Sequence, residues 1–245
     1  MLSVVEAKYL EMRNIDIKPN VSTYTSVIKA LSKSKVNPQR AQDILDRIDA
    51  LNDTTNDDNL RIGVDCVCYN AVLDAWGWSS APDKVQRANK LFHRMLDLYN
   101  SESNLQVKPN IVTLNSLLNA CSFARVKGEE GHAAAVLEVA NNAYELFADE
   151  ECGSANGLTY YTMLKIFNKF LPMNDDRTEK MKNVFYQCCE NGYLDKKVFS
   201  QLKKGLPANE LKHLLGDGIS INAAGKIRID ERQIPKFGIR SNRVK

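Results

Sequence analysis

The sequence lacks a long hydrophobic run and the motifs that mark most enzyme active sites. No stretch approaches the roughly 18 apolar residues that a membrane-spanning helix needs. There is no Gly-rich phosphate loop, no nucleophile elbow, and no His-x-Glu followed by the Pro-Cys-x-x-Cys of a zinc deaminase. The four acidic residues after Pro207 are too few for a two-metal nuclease domain. We therefore predict that the chain is not an enzyme, uses no cofactor and has no membrane partner.

Metal-ligand spacing is also missing. Six cysteines are present, but none forms a Cys-x-x-Cys pair, and only three histidines could join them as ligands. We predict no metal site, and we interpret the cysteines as buried or half-buried thiols in a reducing compartment. They are Cys66, Cys68, Cys121, Cys152, Cys188 and Cys189.

Positive charge is concentrated at the C-terminal end. The net charge of the chain is +3, yet residues 226–245 carry seven Lys or Arg against Asp230 and Glu231. The remaining 225 residues therefore sum to −2, so bulk charge alone does not indicate a nucleic-acid partner. The basic tail fits either a solvated, disordered terminus or an arm that contacts phosphates with salt-sensitive affinity.

One pattern recurs four times along the chain. Counted from Val21, Cys66, Ile111 and Gly157, equivalent segments are separated by 45, 45 and 46 residues. Each segment begins with apolar residues at i, i+3, i+4 and i+7, which is the spacing of one helix face, and a second such set follows. One hairpin cannot bury both of its apolar faces, so neighbouring hairpins must stack. This predicts an all-α fold, a right-handed α-solenoid of stacked helix-turn-helix hairpins.

The pattern divides the chain into units. Residues 1–20 resemble the second helix of a truncated repeat rather than a signal or transit peptide, so we expect a fragment of a longer protein. A short helix is expected at 208–215, and the segment from Gly216 onward fits a short strand, coil or disorder. The units are repeats at 21–65, 66–110, 111–156 and 157–195, a degenerate partial repeat at 196–206, and a short helix plus basic tail at 207–245.

The junctions between units resemble those of a known family. Lys108-Pro109-Asn110-Ile111-Val112-Thr113-Leu114-Asn115 is similar to the junction of the pentatricopeptide repeat family, and Ala88-x-x-Leu91-Phe92-x-x-Met95 is similar to its second-helix signature. The resemblance covers about residues 4–195 and extends weakly to 206. The units are longer than the family's standard unit, and polar, turn-rich loops account for the excess.

The resemblance implies a partner and a compartment. Proteins of this family generally bind single-stranded RNA in mitochondria or plastids, with about one base read per repeat by two or three side chains. It therefore implies a sequence-selective RNA binder that acts in organellar RNA processing, stability, editing or translation, alongside other RNA-processing proteins. The oligomeric state is not indicated.

The resemblance also assigns candidate RNA-binding residues. One residue of each unit would contact the edge of a base, and we call these the reading residues: Thr25, Asn70, Asn115 and Tyr161. The last residue of the same unit would complete the contact with that base: Asp65, Asn110, Asn156 and Asp195. The apolar residues that would sandwich bases are Val67, Val112 and Leu158, whereas Ser22 departs from the apolar pattern. In the family's code, Thr with Asp implies guanine and Asn with Asn a pyrimidine, more often cytosine. The implied tract is G-pyrimidine-pyrimidine, running 5′ to 3′ from the N- to the C-terminal unit. Tyr161 departs from the code, so the fourth unit has no assignment.

Simpler roles and a second function stay open. Asn70 and Asn115 also fit helix capping or plain exposure, and Pro109-Asn110 fits ordinary turn chemistry. Tyrosines at the first apolar position of a unit, such as Tyr69 and Tyr160, are predicted to pack in the core. The alternative function is a protein–protein interaction scaffold, because helical-hairpin arrays also bind peptides.

Overall fold

The chain folds into consecutive helices. The computed structural model describes residues 21–34, 37–54, 63–125, 131–147, 154–215, 219–221 and 227–229. Within these ranges there are ten α-helices, one 3₁₀ helix and two short strands. They are α1 (Val21–Ser34), α2 (Pro38–Thr54), α3 (Cys66–Trp78), α4 (Lys84–Asn100), the 3₁₀ helix (Leu105–Val107), α5 (Ile111–Ser122), α6 (His132–Leu146), α7 (Gly157–Phe170), α8 (Asp175–Glu190), α9 (Lys196–Gly205), α10 (Ala208–Leu215), β1 (Ile219–Ile221) and β2 (Ile227–Ile229).

Short polar residues fix where four of the odd-numbered helices begin. An Asp or Asn stands immediately before α3, α5, α7 and α9, and its side chain accepts hydrogen bonds from backbone amides of the first turn. These amides have no partner inside the helix, so the cap satisfies them and stops the helix from extending backwards. The four caps are Asp65, Asn110, Asn156 and Asp195.

The helices form two layers. The odd-numbered helices α1, α3, α5, α7 and α9 pack side by side in chain order, and each of α2, α4, α6 and α8 packs on the helix before it and the helix after it. The even-numbered helices contact one another far less than the odd-numbered helices do. This arrangement confirms the prediction of an all-helical solenoid, and it places the odd-numbered helices in one continuous row.

The core lies between the layers and runs the length of the array. Most apolar positions of the repeat are buried in both layers, because each hairpin packs against the next one. Leu117 and Leu118 in α5 are fully buried, as are Tyr69 and Leu73 in α3. Burial of side chains of this size supplies the main stabilisation of a repeat array.

The C-terminal end departs from the helical pattern. Strands β1 and β2 pair antiparallel, with Ile219 opposite Ile229 and Ile221 opposite Ile227. A short strand was one of the alternatives that the sequence left for this segment. The first 20 residues and the basic tail from residue 230 lie outside the described residues.

Replacing Leu117 by Ala should destabilise the array strongly. Leu117 is fully buried between hairpins, so the truncation should lower the free energy of unfolding by roughly 2–5 kcal/mol. Val112 lies on the same helix but is exposed, so Val112→Ala should change this free energy by no more than about 0.5 kcal/mol. Chemical denaturation of both variants measures the difference. Equal effects would contradict the core assignment.

Candidate nucleic-acid interface

Asn70 and Asn110, predicted to act as a pair, are in direct contact. Asn70 lies inside α3 and is buried, and its Nδ2 donates to Asn110 Oδ1 at 3.2 Å. Asn110 also caps α5, because its Oδ1 accepts from the amides of Val112 and Thr113. The hydroxyl of Thr113 donates to Asn70 Oδ1 at 2.7 Å and accepts from the Asn110 backbone N–H at 3.0 Å. The three residues form one closed network across two helices.

The next unit repeats this network. Asn115 Nδ2 donates to Asn156 Oδ1 at 3.4 Å, and Thr159 Oγ1 donates to Asn115 Oδ1 at 2.9 Å. Asn156 caps α7, and its backbone N–H donates to Thr159 Oγ1 at 3.1 Å. The stacking of α3, α5 and α7 therefore presents two amide pairs with the same geometry.

The outer two pairs have different surroundings. Thr25 Oγ1 lies 2.7 Å from Cys68 Sγ, and the Cys68 backbone N–H donates to Asp65 at 2.9 Å, so Thr25 and Asp65 meet through Cys68. At the other end, Asp195 is exposed and caps α9, while Tyr161 is half-buried. In the described part of the chain, no hydrogen bond joins Tyr161 to Asp195.

The third residue of each unit was not among the candidates predicted from the sequence. Cys68, Thr113 and Thr159 stand at this position, and each bonds the reading residue of the unit before it. Thr113 and Thr159 also complete a capping box with the Asn three residues earlier. The signal was present in the sequence as Asn-x-x-Thr at two junctions, but the cross-helix bond depends on the packing of separate helices.

Two adjoining clefts open beside the amide pairs. The first cleft lies along α1 and α3 up to the start of α5 and has a volume of about 690 Å³; the second lies between α5 and α7 and has about 490 Å³. Asn70 and Asn110 line the first cleft, and Asn115 lines the second. Asp74, Trp78 and Val112 line both clefts, so the two form one continuous groove across the odd-numbered helices.

Exposed apolar side chains stand beside each amide pair. Val67 and Val112 line the first cleft, and Val112 and Leu158 line the second. The exposed fractions of Val67, Val112 and Leu158 are 38, 49 and 56%. Apolar side chains this exposed at equivalent positions of successive helices have no role in the core. They leave apolar surface exposed on either side of the amides.

Helix capping explains only one of the two residues in each amide pair. Asn70 and Asn115 lie inside α3 and α5, so neither caps a helix and neither is simply exposed. Asn110 and Asn156 are caps, and each also accepts a bond from a reading amide. The predicted packing role of Tyr69 and Tyr160 is confirmed by their burial.

Basic residues outnumber acidic ones along the groove. Lys29 and Lys33 line the first cleft and Lys165 the second. The exception is Asp74, which accepts a hydrogen bond from the Ser116 hydroxyl, and burial raises the pKa of its carboxyl group. The carboxyl group of Asp74 forms part of the lining that the two clefts share.

A buried lysine adjoins the second cleft. Lys84 Nζ donates to the carbonyl oxygens of Gly77 and Ser79, each at 3.1 Å, and so caps the end of α3. Burial, followed by the positive charge of Lys169, lowers the pKa of Lys84 to about 8.

The described residues contain no group of three or more His, Cys, Asp or Glu arranged to hold a metal ion. None of the described helices is both long and apolar enough to cross a membrane.

The stacked hairpins and the groove across them define a helical-repeat protein. Residues 9–50 match the family model described as Pentatricopeptide repeat domain, which confirms the resemblance for that segment. The matched segment includes α1 and most of α2. No curated protein matches the chain. Pentatricopeptide repeats are helical repeats that commonly bind RNA and are generally not catalytic.

Replacing Thr113 by Val should destabilise the junction between α3 and α5. The variant removes the hydroxyl that donates to Asn70 Oδ1, and an unsatisfied buried acceptor costs about 1–3 kcal/mol. Thr162 provides a control, because its hydroxyl donates only to the Leu158 carbonyl of its own helix. Thr162→Val should therefore cost less than Thr113→Val in chemical denaturation. The reverse order would contradict the importance of the network.

The contribution of Lys84 to stability should depend on pH. Its folded-state pKa of about 8 lies below the ordinary lysine value of 10.5, so between these values the unfolded chain binds more protons than the folded chain. Stability then rises with pH across this window. The unfolding free energy of the wild type minus that of Lys84→Met should increase from pH 8 to about pH 10. A difference that stays flat or falls with pH would show that the ammonium group is not buried.

Proposed function

We propose that this chain binds single-stranded RNA in the groove across the odd-numbered helices and selects bases through the paired amides. One observation carries the proposal. Asn70 with Asn110, and Asn115 with Asn156, form two amide pairs of the same geometry, each beside a cleft lined by exposed apolar side chains. A base needs both features, because its edge forms hydrogen bonds and its faces pack on apolar or aromatic groups.

The first cleft suits one nucleotide. A base entering between Val67 and Val112 would pack its two faces on apolar side chains. Its Watson–Crick edge would then meet the Asn70 side chain, whose Nδ2 carries a second hydrogen beyond the one given to Asn110. This donor suits an acceptor on the edge of the base.

The second cleft repeats this arrangement one helix further along. Val112 and Leu158 flank it, and Asn115 occupies the place of Asn70. Val112 would thus pack on both neighbouring bases. The networks through Thr113 and Thr159 hold the amides in place before RNA arrives, so little side-chain entropy is lost on binding.

Binding of this kind acts by occupancy. A protein that covers a few nucleotides blocks nucleases or changes the local RNA fold without catalysing a reaction. We propose that the chain contributes to organellar RNA processing, stability, editing or translation in this way. Imaging of the full-length protein fused to a fluorescent reporter tests the mitochondrial or plastid compartment, and a purely cytosolic signal would reject it.

Base preference should depend on Asn115. Short RNAs carrying G-pyrimidine-pyrimidine should bind more tightly than RNAs with adenine at any of these three places. Asn115→Ala should remove roughly 1–3 kcal/mol of the discrimination at the third base while leaving the first two preferences unchanged. Fluorescence anisotropy measures these affinities. The control is Asn142→Ala, since Asn142 is exposed on α6. An RNA with guanine first that binds no better than its adenine version would refute the predicted tract.

The net charge of the chain outside its basic tail favours the protein-scaffold alternative. The first 225 residues sum to −2, and the carboxylate of Asp74 lies between the two clefts. Salt separates the two functions, because phosphate contacts should make RNA affinity fall steeply as salt is added. No retention of mixed single-stranded RNA at low salt would favour the scaffold instead.

A further inference from the structure

Two exposed aromatic rings meet at the far end of the groove. Trp78 is the last residue of α3 and Phe123 follows α5, and their ring centroids lie 5.3 Å apart. Their exposed fractions are 47 and 43%. Trp78 lines both clefts and Phe123 lines the second. We call this pair the aromatic shelf.

The shelf is placed in register with the amide pairs. Trp78 comes eight positions after Asn70, and Phe123 comes eight positions after Asn115. Eight residues of helix rise about 12 Å, so each ring lies that far along the axis from a reading amide. The shelf therefore borders the same two clefts without reaching the place where a base edge would be read.

Positive charge surrounds the shelf. Lys165 Nζ lies 3.8 Å from the centroid of the Phe123 ring, and Lys84 Nζ lies 5.7 Å from it. Lys169 Nζ donates to the carbonyl oxygens of Ser122 and Ala124, on either side of Phe123. Two ammonium groups thus lie near the Phe123 ring, and a third binds the backbone on either side of this residue. An anionic ligand that also offers a flat π-face fits this combination, whereas a neutral apolar ligand does not use the charge.

We propose that the aromatic shelf stacks a base of the bound RNA without reading its identity, while Lys165, which lines the second cleft, attracts its phosphate. Every base has a π-face, so stacking on Trp or Phe adds affinity for all sequences alike. The shelf would then supply general affinity, and the amide pairs would supply selectivity. This inference rests on the proposed function, since it needs RNA in the groove.

Trp78 allows a direct spectroscopic test. The chain has two tryptophans. Trp76 is buried, and its indole N–H donates a hydrogen bond to the side chain of Gln42. Trp76→Phe therefore leaves Trp78 as the single tryptophan. Titration with a short single-stranded RNA that carries the predicted tract and flanking nucleotides should quench its emission. A signal that stays constant while anisotropy reports binding would overturn the proposal.

Affinity measurements separate stacking from general apolar contact. Trp78→Leu and Phe123→Leu should each weaken binding roughly five- to a hundredfold, and by the same factor for the matched RNA and its adenine-substituted versions. Trp78→Phe and Phe123→Tyr keep an aromatic face and should retain most of the affinity. Tyr186→Ala, on the similarly exposed Tyr186 of α8, should change nothing. Thermal melts of each variant confirm that the array is folded.

The failures of the two proposals are distinguishable. If Trp78→Leu binds RNA as the wild type does while Asn115→Ala loses selectivity, the shelf is refuted and the proposed function stands. A Trp78→Leu variant with changed base preference also refutes the shelf, because its contact would then be a reading contact. If the wild type retains no RNA, yet Trp78 emission responds to an acidic peptide, both proposals fail and a protein partner is indicated.

Discussion

The structure depends on one constraint, which is that a helical hairpin with two apolar faces cannot bury both by itself. Each hairpin of this chain must therefore pack against the next. The apolar residues of α3, α5 and α7 are buried by this packing. The packing brings the first turn of α5 and of α7 beside the fifth residue of the odd-numbered helix before it. The polar contacts between neighbouring helices of the groove are a consequence of this register.

The junction network shows how stability and recognition share residues. Thr113 is fully buried, caps α5 with Asn110 and orients Asn70 in α3. Buried polar groups are costly unless they are satisfied, so the network fixes a single arrangement of the two helices. The same bonds leave the outer edge of each amide pair facing a cleft. A rigid scaffold therefore positions the groups that we propose contact RNA.

The groove has two chemically different ends. Amide pairs flanked by Val67, Val112 and Leu158 lie at the helix starts, whereas Trp78, Phe123 and their lysines lie at the helix ends. Directional hydrogen bonds discriminate between bases, and stacking does not. Because the hydrogen-bonding amides and the stacking rings are separated along the helix axis, substitutions could change selectivity and affinity independently.

The sequence by itself determined the helices, their periodic apolar faces and the places where they begin, because caps and helix periodicity act between residues close in the chain. It also paired Asn70 with Asn110 and Asn115 with Asn156, although only through resemblance to a family. Tertiary structure alone revealed the bonds of Cys68, Thr113 and Thr159 to the preceding helix, and the contact between Trp78 and Phe123. These contacts join residues about one repeat apart, and their distance in space is decided by how the hairpins stack.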